Sequence, residues 1–426
     1  MTRTIVNIEL LCLRYPFPET IKYEYSGGVV DNQDVALVRV TCDNGAYGLG
    51  EVTHGQYCHH PIAGLVQHFK ELLVGQSVFE INRAWETMYG SSVFWNRQGV
   101  GIGVMGGINI AMYDLVGKLR GLPVYELLGG LVRSRIRAYA SNGLFRDKDL
   151  LIADARRAQR FGFNAYKMRV VTPETLIPLV AAFKAELPDM DLIVDAVQGS
   201  CSVPWSVAIS KQLAKELERY EVLWFEEPCR VENIEGYVEV RRSTSMNIAG
   251  AESLPTAAAF KPYLDREAFG IVQFDCSTSG FTEGLRIANL AAVHQRPVAI
   301  HSWGSVVSAL TGLHLALVMP NCAITEYGFM DHPLNDLLSV EPLRPKDGYF
   351  EAPTTPGLGV KFDDSWLEKY PYVASQNTMV SADEADIRLT GIGGRRSVPE
   401  GNYSDTVFGK HYLTPAGPRE TATAHS

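Results

Sequence analysis

Hydrophobic and polar positions change their period twice along the chain. Residues 3–12 and 35–42 alternate, which predicts strands, and Asp43-Asn44-Gly45 before YGLGEV is a hairpin signal. Three helical stretches follow. The third, within MGGINIAMYDLVGKLRGLPVYELLGG, has a marked stop: Gly121 can take a left-handed cap and Pro123 cannot continue the helix. Together these predict an α+β unit over residues 1–130. From about residue 136 the pattern becomes short apolar runs, each ending in a polar or charged residue and each followed by a helix-length segment. The runs are IRAYAS (136–141), AYKMR (165–169), LIVDA (192–196), LWFEE (223–227), NIAGAE (247–252), IVQFD (271–275), PVAIH (297–301) and AITE (323–326). Eight units at roughly 25–30-residue spacing suit a closed TIM-type (β/α)8 barrel over residues 131–340. An open doubly wound sheet competes, but no glycine-rich phosphate loop follows the first run. After residue 340 the period stops. Turn-rich residues 341–375 predict a return to the first unit, and residues 376–426, rich in Gly, Pro, Ser and Thr, form an extension.

Composition narrows the classes. The 426 residues are 46% hydrophobic and 20% charged, as in soluble globular proteins. A net charge of -9, without clustered Lys or Arg, argues against a nucleic-acid partner. The cysteines (12, 42, 58, 201, 229, 276 and 322) are odd in number and lack CxxC spacing, so neither a disulfide framework nor a thiolate zinc site is expected. The opening MTRTIVNIELLCLRYPF alternates like a strand rather than a signal peptide, and no uninterrupted apolar run of about 18 residues predicts a membrane span. A cytoplasmic protein is the expectation.

Barrel chemistry sits at the C-terminal ends of the strands. The third, fourth and fifth runs place Asp195, Glu226 and Glu252 there. Any one of them fits a solvated loop start. Three in succession on neighbouring strands would repel one another, and a hard divalent cation, magnesium by its preference for oxygen, would hold them. The sixth and seventh runs end in Asp275 and His301, a pair in which the carboxylate fixes the imidazole tautomer and strengthens the base. Glu326 ends the eighth, where it would donate to a developing oxyanion if protonated or simply cap the barrel. Lys167 and Arg169, two positions apart on one strand, share a face. Metal, base and cations together suit removal of the proton α to a carboxylate, with Lys167 and the metal stabilising the enediolate.

The order GINIAMYDLVGKLRGLPVYELLGG, KMR, VDA, FEEP, GAE, FD, IHSW, TEY resembles the mandelate racemase-like subgroup of the enolase superfamily over about residues 1–365. The resemblance implies an α+β capping domain over a modified (β/α)7β barrel. It also implies one Mg2+ per subunit on Asp195, Glu226 and Glu252, a His301–Asp275 dyad, and Glu326 touching the substrate carboxylate. A small acid-sugar substrate and a homo-oligomer follow from it as well. Specificity would come from capping loops near residues 16–30 and 51–60, with His54, Tyr57 and Trp95 as candidate hydroxyl contacts. Two departures stand out. Arg169 stands where many relatives carry a second lysine, and a guanidinium stays protonated, so it is a fixed charge rather than a base. Val197 and Gln198 follow Asp195 where relatives often carry Asn, which leaves Gln198 as a candidate substrate contact. With His301 the one comfortable base, the expected activity is a lyase: an acid-sugar dehydratase yielding a 2-keto-3-deoxy acid. A racemase, epimerase or cycloisomerase using Lys167 is the alternative, and a sugar-acid binding protein without turnover a third.

Overall fold

A computed structural model describes residues 3–373 apart from 19, 21–22, 26–27, 171 and 202–203, so the extension expected over 376–426 lies outside the described residues. Strands Ile5–Pro16 and Asn32–Cys42 pair antiparallel, and Tyr47–Glu51 joins the second across the Asp43–Ala46 turn. The alternation expected for 35–42 is not what burial shows. Asn32–Cys42 is the central strand of the three, and its residues from Gln33 to Val38 are buried without interruption, because helices cover one face and the barrel unit the other.

Helices His59–Leu73, Ile81–Ser92 and Val100–Arg120 complete the first unit, and the last stops at Gly121, whose φ of 70° is the left-handed cap read from sequence. Val100–Arg120 has the length and mean hydropathy (1.4) of a membrane-crossing helix, yet 89% of its apolar window is buried between the sheet and the barrel. Glycines make that position accessible. A Cβ on Gly50 would stand 2.1 Å from the Gly107 carbonyl oxygen, and one on Gly106 would stand 2.3 Å from that of Thr278.

The eight apolar runs form the parallel strands Arg135–Ser141, Ala165–Arg169, Asp191–Asp195, Phe225–Glu226, Ile248–Gly250, Ile271–Val272, Val298–Ile300 and Cys322–Gly328. Each pairs with the next, and the eighth returns to the first with Thr325 opposite Ala138, which closes the barrel. Helices follow the first seven strands, while only Leu334–Leu338 follows the eighth, the (β/α)7β pattern. Strand parity then sorts the side chains. Tyr139, Ala165, Ile193, Trp224, Ala249, Ile271, Ala299 and Ile324 fill one interior layer, one from each strand, while Tyr166, Met168, Val194 and Phe225 face the helices. Two residues further along, the same interior face carries Ser141, Lys167, Asp195, Glu226, Gln273, His301 and Glu326. The fifth strand reaches that level one residue late, at Glu252, because Gly250 and Ala251 have positive φ (155° and 71°) and break the period.

The run after residue 340 divides. Tyr349–Glu351 pairs antiparallel with the first barrel strand, Tyr349 opposite Arg137. Further on, Tyr47 donates to the Phe362 carbonyl (3.1 Å), Arg39 pairs with Asp364 (2.7 Å) and Leu358 N–H donates to Asp114 (2.7 Å), so only this later part ties back to the first unit.

Candidate active site

The interior layer of charge is almost wholly buried. Lys167 Nζ lies 2.7 Å from Glu226 Oε1, 3.0 Å from Glu326 Oε1 and 3.3 Å from Asp195 Oδ2, which makes it the hub. Burial would lower its pKa, but Glu226, Glu326 and Asp195 outweigh that and hold the ammonium well above its ordinary value. Arg169 is fixed rather than reaching. Its Nη1 donates to the Asn142 carbonyl (2.9 Å), its guanidinium lies 4.0 Å from the centroid of the Trp303 ring, and Asp195 and Glu326 are 3.7 and 3.9 Å away.

One oxygen from each of Asp195, Glu226 and Glu252 lies within 4.8 Å of the others. Trp224, two residues before Glu226 on the same face, donates its indole N–H to Glu226 Oε2 (2.9 Å) and orients that carboxylate. Charge bookkeeping tests whether a cation suits the place. Among the described residues, the carboxyl groups of Asp195, Glu226, Glu252, Asp275 and Glu326 have Lys167, Arg169 and His301 as their cations, so the site is short of positive charge. An all-oxygen, negatively charged donor set is what a hard divalent cation takes.

The dyad is formed. His301 Nδ1 is 2.7 Å from Asp275 Oδ2, and Asp275 Oδ1 accepts from Thr278 N–H (2.6 Å), capping the helix Cys276–Val293. His301 Nε2 lies 3.0 Å from Glu252 Oε2. Burial lowers the imidazole pKa, but Glu252, Glu326 and Asp275 raise it to about 10, so without a cation His301 is charged. A cation that engages Glu252 removes part of that attraction and turns His301 toward the neutral base.

Glu326 departs from one of its two expected roles. Burial pushes its carboxyl up, but Lys167, His301 and Arg169 outweigh this and hold it well below the usual range. It accepts from Ser302 N–H (2.8 Å), and an ionised carboxylate has no proton to donate to an oxyanion.

The loop candidates fare unequally. His54 lies in the turn Thr53–Gln56, its ring against the backbone of Gly103, its Nδ1 without a partner and close enough to Asp275 to feel its charge. Tyr57 closes the same turn through its N–H to the His54 carbonyl (3.0 Å). Trp95 is half-exposed and packs edge-on against His68 of the neighbouring helix, which gives it a surface role in the capping unit. Gln198 is engaged by its own loop. Its amide N–H donates to the Ala196 carbonyl (2.7 Å) and its oxygen accepts from Trp205 N–H (2.8 Å), so both ends brace their own loop. Of the first capping loop, Phe17 and Tyr23 are described as buried, with Tyr23 5.5 Å from Phe145 of the first barrel loop.

Two buried groups escaped the sequence reading. Glu227, next to Glu226, has a φ of 43°, unusual for a non-glycine, and its Oε1 has no partner. Burial, Glu252, Asp195 and Glu226 all push its carboxyl well up. Gln273 lies between the sixth strand and Asp275 with neither amide atom paired. Its even spacing from Asp275 was the available signal, since it puts Gln273 on the interior face.

Similarity to known proteins agrees with this architecture. Residues 9–129 match the mandelate racemase / muconate lactonizing enzyme N-terminal domain, and residues 150–366 the enolase C-terminal domain-like family. The chain is a mandelate racemase-like member of the enolase superfamily. Within that superfamily it is 31% identical over 347 residues to a D-galactonate dehydratase of Ralstonia pickettii, covering 77% of this chain and 89% of that one. It is 29% identical over 387 residues to a D-galactarolactone cycloisomerase of Agrobacterium fabrum, covering 87% of this chain and 99% of that one. The crystal structure of the 3,6-anhydro-D-galactonate cycloisomerase from Zobellia galactanivorans superposes with a TM-score of 0.77 at 30% identity, over 86% of this chain and 99% of that one. These enolase superfamily relatives thus divide between two outcomes, loss of water and isomerisation.

Proposed function

We propose that this protein is a magnesium-dependent acid-sugar dehydratase that removes the proton α to the carboxylate through His301 and eliminates the β-hydroxyl to give a 2-keto-3-deoxy acid. The observation that carries the reading is the state of Arg169. It occupies the place of a second base, yet a guanidinium anchored on the Asn142 carbonyl and stacked on Trp303 is a fixed charge, so proton transfer is left to His301, backed by Asp275. Asp195, Glu226 and Glu252 would hold the magnesium, which when bound draws electron density from the substrate carboxylate and makes the α-proton acidic. Lys167, kept protonated among carboxylates, places a second positive charge beside the developing enediolate. Glu326 accepts from Ser302 and faces both Lys167 and His301, which would orient the two side chains toward a substrate. His301, once protonated, stands ready to assist the leaving hydroxyl.

A second reading has its own support, because the two cycloisomerase relatives are covered almost end to end while the dehydratases are covered to 89%. The proton chemistry would be the same. The difference lies in the leaving oxygen, which departs as water in one case and stays tethered as an opened ring in the other.

The deciding experiment incubates the purified protein and magnesium with aldonates, aldarates, and their lactones and anhydro forms, followed by NMR and mass analysis. Loss of one water with a new 2-keto signal supports the dehydratase. A 2-keto product of unchanged mass transfers the assignment to cycloisomerisation. Deuterium uptake at the α-carbon without elimination sinks both. Failure of every compound to turn over, with magnesium-dependent thermal stabilisation by one of them, would favour a binding protein.

A further inference from the structure

The two strands that carry the dyad lead into helical segments that side chains from outside the barrel help to close. Asp275 caps the first turn of Cys276–Val293, but that helix breaks at Gly280 (φ 61°, ψ -169°), leaving fresh N–H groups at Phe281 and Thr282. Both donate to Asn109 Oδ1 (2.9 and 3.1 Å), and Asn109 Nδ2 donates to Thr282 Oγ1 (2.9 Å). Asn109 belongs to the capping-unit helix Val100–Arg120, not to the barrel. After His301, the turn Ser302–Gly304 leads into Val306–Val318, capped by Ser305. Here Glu51, the last residue of the capping-unit strand Tyr47–Glu51, accepts from Ser305 N–H (2.9 Å), Ser305 Oγ–H (2.6 Å) and Ser308 N–H (3.0 Å).

These contacts are not ordinary packing. Glu51 is fully buried, and a buried carboxylate is costly unless its partners need the charge. Burial and the nearby Asp275 push its carboxyl up to about 7, while the Ser305 and Ser308 donors oppose that, so stability alone would be served as well by a neutral acceptor. The segment from His301 to Ser305 is therefore held at both ends, Ser302 on Glu326 and Ser305 on Glu51. Two residues beyond Glu51 begins the turn Thr53–Gln56 that carries His54.

We infer that Glu51 and Asn109 are positioning residues for the His301–Asp275 dyad: side chains of the capping unit that hold the start of the helix after His301 and the second helical segment after Asp275, and so tie the alignment of the base to the seating of the capping loop at 53–57. The inference rests on the reading of His301 as the proton acceptor. It makes the capping unit part of the proton-transfer apparatus as well as a cover over the substrate.

The test uses the full chain labelled with ¹⁵N-histidine, without substrate, and follows the low-field Nδ1–H resonance of the His301–Asp275 hydrogen bond, assigned by its absence in His301→Gln. Glu51→Gln and Asn109→Ala are each expected to weaken this resonance and speed its exchange with water by about tenfold or more, the scale of effects on groups that orient reacting side chains. Magnesium affinity by calorimetry stays at the wild-type level, and kcat falls with KM little changed. Glu51→Asp, which keeps the charge, recovers part of the resonance. If Glu51→Gln does not fold, Asn109→Ala and Glu51→Asp decide. An unchanged resonance in the variants overturns the inference. So does a parallel fall of resonance and magnesium affinity, which would mean general loosening of the mouth. Should the resonance respond as expected in a protein that turns over no sugar acid, the proposed activity fails and the positioning role stands.

Discussion

The barrel mouth and the seam between capping unit and barrel both bury charged side chains, but their carboxylates are satisfied in different ways. At the seam the buried acids Asp114 and Glu51 are answered. Asp114 accepts from Leu49 N–H (2.9 Å), Leu358 N–H (2.7 Å) and Lys118 (2.6 Å), and Glu51 accepts from three donors on the helix that follows His301. At the mouth the acids outnumber the cations, and Glu227 Oε1, the Tyr139 hydroxyl and both amide atoms of Gln273 have no partner. Buried polar groups are normally paired, so unpaired ones packed into a single layer mark where a ligand completes the structure. The seam commits its buried carboxylates to hydrogen bonds, while the mouth keeps several polar groups uncommitted.

That contrast can be broken by mutation. The largest effect is expected at the dyad: His301→Gln should reduce turnover about 10²–10⁴-fold in initial-rate assays, the range for loss of a general base, while the fold persists. Lys167→Met removes the cation that three carboxylates share, and should cost about 3–5 kcal/mol in urea unfolding measured with a chelator. Added magnesium should restore a large part of it, and no restoration would argue against a cation in the cluster. Asp114→Asn strips charge from the seam instead, with an expected loss of about 1–3 kcal/mol in unfolding and an unchanged kcat. A drop in kcat there would erase the distinction between the two regions. Gln273→Leu is the opposite case: deleting two unpaired amide atoms should leave stability level or raise it by about 1 kcal/mol.

The smallest effect per step is on pH. Burial lowers His314 and His332 from 6.5 to about 4, so both are neutral in the fold and gain protons on unfolding as the solution is acidified. Their contribution to stability is present above pH 6.5 and is lost as pH falls toward 4, at no more than about 1.4 kcal/mol per pH unit for each group. Chemical denaturation at several pH values, compared with a His314→Gln variant, reads this slope directly.

Much of the molecule was legible as pattern. Apolar runs of strand length, each with a charged end, marked all eight barrel strands, because a parallel strand covered on both faces must be apolar until it reaches the open end of the barrel. Strand period also placed Lys167 and Arg169 on one face. It could not say that they would behave differently, since Arg169 is immobilised by Asn142 and Trp303, which lie 27 and 134 positions away by number. Nor could it rank Glu226 above Glu227, because a single positive φ turns the second carboxyl back toward the cluster that parity would have it leave. Gln198 looked like a ligand by its place after Asp195, and only the conformation of its loop assigned both ends of the amide elsewhere.

The sequence by itself therefore determined the class of fold, the order of the strands and which residues stand at their ends, because hydrophobicity and its period are local properties that each segment carries alone. Tertiary structure decided what those residues do to one another. Protonation, orphaned hydrogen bonds and the clamping of the dyad by Glu51 and Asn109 depend on charges and donors brought together from distant parts of the chain, and no local pattern encodes a distance.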